Sequence, residues 1–118
     1  MEKKRQIVYA CSGASNVGQT ANSVGLYLNT TAGIPMSCAA ALGAGLDTFL
    51  KKAADVDENI IIDGCPVGCL KTICEQQGIP NVRRFVVTEL GIEKEYGRPV
   101  SDKDIQMVVA AILGQDNL

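Results

Sequence analysis

The stretch from residue 59 to residue 74 constrains the fold more than any other part of this 118-residue chain. Residues 60–62 are three consecutive isoleucines, a run that is typical of a strand covered on both faces of a sheet. Gly64 permits a sharp turn, and Pro66 suits the first position of a helix because no backbone N–H donor is needed there. The stretch therefore predicts a buried strand, a tight turn and a helix over residues 66–77 that Gly78 ends.

Two cysteines lie in this predicted turn and helix. Cys65 falls at or next to the helix N-cap, and Cys69 falls one turn later. Residues four apart lie about 40° apart around a helix, so both sulfur atoms are expected to face one point. The positive end of the helix dipole would favour a thiolate at Cys65. Cys74 falls on another side of the same helix and is expected to pack as a small apolar residue.

The rest of the chain alternates predicted strands with predicted helices. This alternation predicts one α/β domain over residues 1–118, a small layered fold with a mostly parallel sheet and helices on both faces. A short strand or the approach to a helix is expected over residues 35–40. The other predicted elements are strands over residues 6–10 and 82–89, helices over residues 17–28 and 42–54, and a last helix that Ser101 caps and Gly114 ends.

A small-residue segment follows the first predicted strand and leads into a helix whose N-cap is expected at Ser15 or Asn16. Such a segment also suits an anion cradle, because a helix N-terminus offers free N–H groups. The phosphate-binding patterns G-x-x-x-x-G-K-[ST] and G-x-G-x-x-G are both absent. A plain strand-to-helix turn is therefore the favoured interpretation.

Four cysteines are expected at one edge of the predicted sheet. Residues that follow parallel strands share the carboxyl edge, where α/β proteins place their sites. Cys11 follows the first strand, Cys65 follows the central one, and Cys38 follows the short segment over residues 35–40. Cys69 lies at the start of the helix that begins at the same edge. The chain contains no histidine, so a zinc site would have to use cysteines and carboxylates.

These features resemble the DGC-domain family, a group of small, mostly prokaryotic proteins described as zinc-binding and named for Asp-Gly-Cys. The resemblance rests on the triplet Asp63-Gly64-Cys65, the following Cys69, the isolated Cys38 and the Cys-Ser-Gly that follows the first strand. It runs from about Ile7 to Thr88 and covers most of the chain. It implies a zinc-binding protein whose biological role is not established, with four ligands that match Cys11, Cys38, Cys65 and Cys69.

Other interpretations of the same residues stay open. An iron–sulfur cluster also uses four cysteines and is the less favoured metal centre, and the thiols could instead pack as small buried residues. Cys65 could carry thiol-based redox or sulfur-transfer chemistry, with another cysteine resolving it as a disulfide. If only three cysteines bind zinc, an open position could take water or substrate, and Asp63 could act as base in a metal-dependent enzyme. Otherwise Asp63 is expected to bond nearby N–H groups of the turn or helix.

Composition narrows the classes of partner. A net charge of -2 and an aromatic content of 4% provide neither a basic surface nor a stacking platform for nucleic acid. No apolar run approaches the ~20 residues of a membrane-spanning helix, and the N-terminus lacks a signal-peptide core. We therefore expect the reducing cytoplasm, where cysteines more often serve metals or chemistry than disulfides. A metal ion is the expected partner, and a homodimer is compatible with the sequence although no interface is identified.

Overall fold

The computed structural model describes residues 4–114, which form a three-stranded parallel sheet with helices on both faces. The predicted α/β fold with a mostly parallel sheet is therefore confirmed. The strands are β1 (Gln6–Ala10), β2 (Glu58–Asp63) and β3 (Val82–Val86), in the spatial order β1-β2-β3. The helices are α1 (Asn16–Thr31), α2 (Ala39–Gly43), α3 (Asp47–Asp55), α4 (Cys69–Gln77) and α5 (Asp102–Leu113), with a short 3₁₀ helix at Val87–Leu90.

Strand β2 lies between the other two strands, and its isoleucines are buried on both faces of the sheet. Ile60 and Ile62 pack beneath α1 and α5, whereas Ile61 points into the opposite layer. Successive side chains of a strand alternate between the two faces, so a continuous apolar run serves both layers. Each fully buried isoleucine stabilises the fold by about 1.5–3 kcal/mol.

The helices divide into two layers. Helices α1 and α5 cover one face of the sheet, and α2, α3 and α4 cover the other. As predicted, Ser15 caps α1 by accepting from the N–H of Gly18, and Ser101 caps α5 by accepting from the N–H of Asp104. Gly78 ends α4 in the left-handed conformation, also as predicted. No helix among residues 4–114 combines the length and the apolar character that crossing a membrane would need.

The prediction that Pro66 begins a helix is wrong. Helix α4 begins at Cys69, and Gly68 precedes it in the left-handed conformation with φ of 69°. The N–H of Gly68 donates to the carbonyl of Cys65 at 3.2 Å, which closes a turn over residues 65–68. The two thiols of this segment therefore do not lie one turn apart on a single helix.

Two other predicted elements have different lengths. The helix expected over residues 42–54 is divided into α2 and α3, because Gly45 adopts the left-handed conformation between them with φ of 72°. The strand expected over residues 82–89 ends at Val86, where the chain turns into the 3₁₀ helix.

The segment over residues 35–40 forms one bridge rather than a strand. Met36 pairs in parallel with Val8, and the N–H of Ser37 donates to the carbonyl of Val8 at 3.0 Å. This pairing continues the direction of β1 and leaves Cys38 level with the end of that strand. Cys38 is there the N-cap residue of α2.

Candidate functional site

Asp63 anchors the start of helix α4 although it lies seven residues before Leu70. One carboxylate oxygen accepts from the N–H of Leu70 at 2.9 Å. The other accepts from the N–H of Lys71 at 3.2 Å and from Nε of Arg84 at 2.9 Å. The side chain is 1% exposed. Of the two expected roles, catalytic base and capping carboxylate, the hydrogen bonds of Asp63 fit the capping carboxylate. Both of its oxygens accept hydrogen bonds from within the protein.

Gly64 brings the turn after β2 against the first turn of α1. A Cβ atom at this position would lie 2.9 Å from the backbone nitrogen of Gly18 and 3.0 Å from the carbonyl carbon of Val17. Both distances are too short for a side chain, so only glycine permits this approach. The carbonyl of Gly64 also accepts from the N–H of Thr88 at 3.2 Å. Asp63 thus holds the turn through hydrogen bonds to α4, and Gly64 holds it through close packing against α1.

Two of the four predicted ligand cysteines lie on the α1 side of the carboxyl edge. Cys11 follows β1, and its N–H donates to the carbonyl of Ile62 at 2.9 Å. Cys65 follows β2 and Gly64. Both side chains are partly exposed and pack against the hydrophobic cluster beneath α1. Their thiols therefore lie at the boundary between the core and solvent.

The other two predicted ligand cysteines begin helices of the opposite layer. Cys38 precedes α2, and Cys69 is the first residue of α4. The two helices pack against each other, and both thiols are exposed. All four predicted ligands are free cysteines on segments at the carboxyl edge of the sheet.

The four thiols share an edge without forming a ready coordination sphere. Within residues 4–114, no group of three or more histidine, cysteine, aspartate or glutamate side chains is arranged to hold a metal ion. The topology therefore brings the four segments together, and the assignment of Cys11, Cys38, Cys65 and Cys69 as metal ligands stays a prediction.

Cys74 lies away from these four cysteines. It is 5% exposed and packs with Tyr9, Ile61 and Leu70 in the layer beneath α4. Burial, followed by the carboxylates of Asp63 and Glu75, raises the pKa of the Cys74 thiol above its usual 9.0. The expectation that Cys74 packs as a small apolar residue is confirmed.

A loop between the 3₁₀ helix and α5 is fixed to the start of α1 by Asn16. The side-chain nitrogen of Asn16 donates to the carbonyl of Glu93 at 2.8 Å, and its side-chain oxygen accepts from the N–H of Glu95 at 2.6 Å. The backbone N–H of Asn16 donates to the carbonyl of Glu95 at 3.1 Å. Asn16 is 2% exposed. These bonds hold the loop across the N-terminus of α1.

This loop presents Lys94 to Cys65. The Nζ atom of Lys94 lies 3.5 Å from Sγ of Cys65 and 5.2 Å from the ring centroid of Tyr96. The neighbouring Tyr96 side chain and then the Cys65 thiol raise the pKa of Lys94. The Lys94 ammonium therefore lies within hydrogen-bond distance of the Cys65 sulfur. Sequence analysis missed this contact, because the two residues are 29 positions apart and no local pattern joins them.

The start of α1 is a turn and a cap, as favoured from the sequence. Ser15 caps the helix, and the N–H of Asn16 is taken by the loop carbonyl of Glu95. The side-chain nitrogen of Gln19 donates back to the carbonyls of Ser12 and Gly13. The N–H groups of Asn16 and Gly18 at the start of α1 are therefore used within the protein.

The fold defines a small α/β protein with four free cysteines on segments at the carboxyl edge of its sheet. The model of the DGC domain family matches residues 7–112. The chain therefore belongs to the DGC domain family, as its sequence resemblance indicated. It is also similar to the anaerobic and virulence modulator AnvM of Pseudomonas aeruginosa, with 32% identity over 100 residues that cover 85% of this chain and 76% of AnvM. No solved structure matches the chain.

Proposed function

We propose that this protein binds a zinc ion through Cys11, Cys38, Cys65 and Cys69. The observation that carries the proposal is the arrangement of four free thiols on four segments at one edge of the sheet. Thiolates are soft donors, and four of them form a common tetrahedral zinc site. The donor set thus fits zinc by its chemistry, in a chain without histidine.

Zinc binding would join the two helical layers. Cys11 and Cys65 lie on the α1 side, whereas Cys38 and Cys69 begin helices of the other layer. Because no group of three metal-ligating side chains among residues 4–114 is arranged to hold an ion, zinc binding by all four cysteines would require their thiols to move closer together. The bound ion would then act as a cross-link, and its binding free energy would add to the stability of the fold.

Four thiolates would close the coordination sphere of zinc. A closed zinc site serves to stabilise the fold or to sense the state of the thiols, because it keeps no position for water or substrate. Asp63 does not supply a base beside such a site, since its oxygens are bonded to α4 and to Arg84. The proposed role is therefore zinc binding rather than metal-dependent catalysis.

Elemental analysis of anaerobically purified protein tests the proposal. We expect about one zinc ion per chain in the wild type, and loss of that zinc in Cys65→Ser. Cys74→Ser is the matched control, because it also removes one thiol but lies in the core. Reduced wild-type protein without metal, or equal zinc in Cys65→Ser, would contradict the proposal. Detection of iron with acid-labile sulfide would contradict the zinc proposal and indicate an iron–sulfur cluster.

A second candidate function is thiol-based redox or sulfur-transfer chemistry at Cys65. The specific observation that favours it is the 3.5 Å contact between the Lys94 ammonium and Sγ of Cys65. A neighbouring cation stabilises the negative charge that a sulfur atom carries when it acts as a nucleophile. Cys11 packs against the same hydrophobic cluster as Cys65 and is therefore the resolving thiol that the fold favours.

Alkylation of metal-free protein at neutral pH tests this second function. We expect Lys94→Met to slow the modification of Cys65 by roughly threefold to tenfold, because the reacting sulfur atom loses the cation 3.5 Å away. Lys71→Met serves as a control. Lys71 lies near the same turn, but it contacts Asp63 through its backbone N–H and not through its side chain. Equal rates in the two variants would show that Lys94 does not activate Cys65.

The relative AnvM is named an anaerobic and virulence modulator. We infer for the present chain a modulating role in which the state of the cysteine cluster is the signal. Thiolates, whether free or metal-bound, are the groups in this protein that oxidants modify most readily. Loss of zinc on exposure to peroxide, with return of zinc after reduction, would support this role. Retention of zinc throughout would contradict it.

A further inference from the structure

The outer edge of β3 has no paired strand among residues 4–114. The N–H of Asn59 on β2 donates to the carbonyl of Asn81, and the register pairs Asn59 with Val82. In a parallel ladder, alternate residues bond to the same neighbour. The backbone groups of Arg83 and Phe85 therefore face β2, and those of Val82 and its alternate neighbours face outward. The sheet thus offers a row of backbone donors and acceptors.

A groove of about 330 Å³ runs beside this edge, between β3 and α4. Its apolar lining residues are Ile61, Cys74, Ile79 and Val82. Val82 is 39% exposed although it is apolar and lies on a strand. The opposite face of β3 differs, because the guanidinium of Arg83 covers the ring of Phe85 at 4.8 Å. The accessible pocket beside the open edge therefore lies on the α4 side.

The carboxyl end of the groove carries two basic side chains. Lys71 and Arg84 both line it, and Glu75 lies further along α4. Among the described residues, no carboxylate lies within 4.0 Å of the Lys71 ammonium. Arg84 uses Nε for Asp63 and is 27% exposed, so further N–H donors of its guanidinium reach solvent. An acidic side chain in the groove would meet both cations.

We propose that β3 is a docking edge for an extended acidic peptide segment of a partner protein. The segment adds a fourth strand beside β3, places an apolar side chain near Val82, and places a carboxylate near Lys71 and Arg84. Main-chain bonds would supply affinity, and the charged groove would supply specificity. A second copy of this chain fits less well, because symmetric antiparallel pairing centred on Arg84 would place two arginines opposite each other.

Titration of ¹⁵N-labelled protein with a short peptide tests the proposal. The probe is acetyl-Ser-Val-Thr-Glu-Thr-Val-Ser-amide, which has the same pattern in both directions and so fits parallel or antiparallel addition. We expect a Kd at or below about 1 mM, with amide shifts centred on Val82, Arg84 and Lys71. A peptide with lysine in place of glutamate should bind more weakly. A peptide that is N-methylated at its three central residues should not bind, because it cannot form the ladder.

A pair of charge-reversal variants separates the groove from general electrostatics. Lys71→Glu should weaken binding of the glutamate peptide by roughly threefold to tenfold, and salt should reduce this difference. Lys103→Glu changes the net charge equally on α5, in the other layer, and should leave Kd unchanged. No binding, shifts located elsewhere, or equal binding of the N-methylated peptide would overturn the proposal. Concentration-dependent dimerisation that shifts the same β3 amides would overturn the peptide proposal and identify a second copy of this chain as the occupant of the edge.

This docking edge does not depend on the proposed zinc site. Val82 and Ile79 lie toward the opposite end of β3 and α4 from the cysteine edge. Metal-free protein that still binds the peptide would support the docking edge even if elemental analysis found no zinc.

Discussion

The guanidinium of Arg84 donates to the buried carboxylate of Asp63 at 2.9 Å, below the first turn of α4. The same carboxylate accepts from the N–H groups of Leu70 and Lys71. One aspartate therefore connects the end of β2, the edge strand β3 and the helix that begins at Cys69. The position of that cysteine depends on this connection.

Asp63→Ala should destabilise the protein by about 2–4 kcal/mol, because two helix N–H groups and a partly buried guanidinium lose their acceptor. The figure is below that of a fully buried ion pair, since Arg84 regains some hydration. Urea unfolding measures the change. Asp47→Ala is the control, because Asp47 pairs with Lys51 on the surface of α3 and should cost less than about 1 kcal/mol. Similar losses in the two variants would contradict the anchoring role.

Gly64→Ala should cost about 1–3 kcal/mol, since the added Cβ would lie 2.9 Å from the backbone of Gly18 and must push the turn away from α1. Gly13→Ala is a matched control, because nothing lies within 4 Å of a Cβ there. Thermal or urea unfolding of both variants checks the prediction. A stable Gly64→Ala protein would show that the turn can shift without loss.

Asn16→Ala should cost about 1–3 kcal/mol by removing both side-chain bonds to the loop at Glu93 and Glu95. It should also release Lys94 from Cys65, so alkylation of Cys65 in metal-free protein should slow. Asn22→Ala on the same helix is the control and should change stability by less than about 0.5 kcal/mol. Unchanged Cys65 reactivity in Asn16→Ala would indicate that the loop stays in place without this asparagine.

Alkaline pH should destabilise the protein in part through Cys74. The folded state holds the Cys74 proton more tightly than the unfolded state, because burial raises the pKa of this thiol above 9.0. This contribution to the free energy of unfolding is complete below pH 9.0 and decreases as pH rises through the raised pKa. Cys74→Ala should therefore lose less stability between neutral and alkaline pH than the wild type, whatever its stability at neutral pH. Parallel pH profiles of urea unfolding would contradict this assignment.

Local patterns predicted the elements whose causes are local. The isoleucines of β2 required a doubly covered strand, and Ser15, Ser101 and Gly78 marked helix ends through bonds to nearby backbone groups. Pro66 misled the helix assignment, because Pro66 is compatible with a turn and Gly68 delays the helix. In each case the outcome followed from the conformations that the residue itself permits.

The contacts that shape the candidate site are distant in sequence. Asp63 reaches Arg84 across 21 positions, and Asn16 reaches Glu95 across 79. Lys94 meets Cys65 only because that loop folds over α1. No periodicity or spacing encodes such pairs, so the sequence predicted the edge at which the cysteines lie but not the groups that surround them.

Asp63 and Gly64 are buried, whereas Cys65 is partly exposed and Cys69 is exposed. Asp63 and Gly64 fix the conformation of the turn, whereas the proposed zinc or thiol chemistry belongs to Cys65 and Cys69. Protein engineers could exchange the side chains of residues 65–69, apart from Gly68, for other ligand sets while the fold keeps its anchor. The same separation would let natural variation retune the chemistry of the edge at little structural cost.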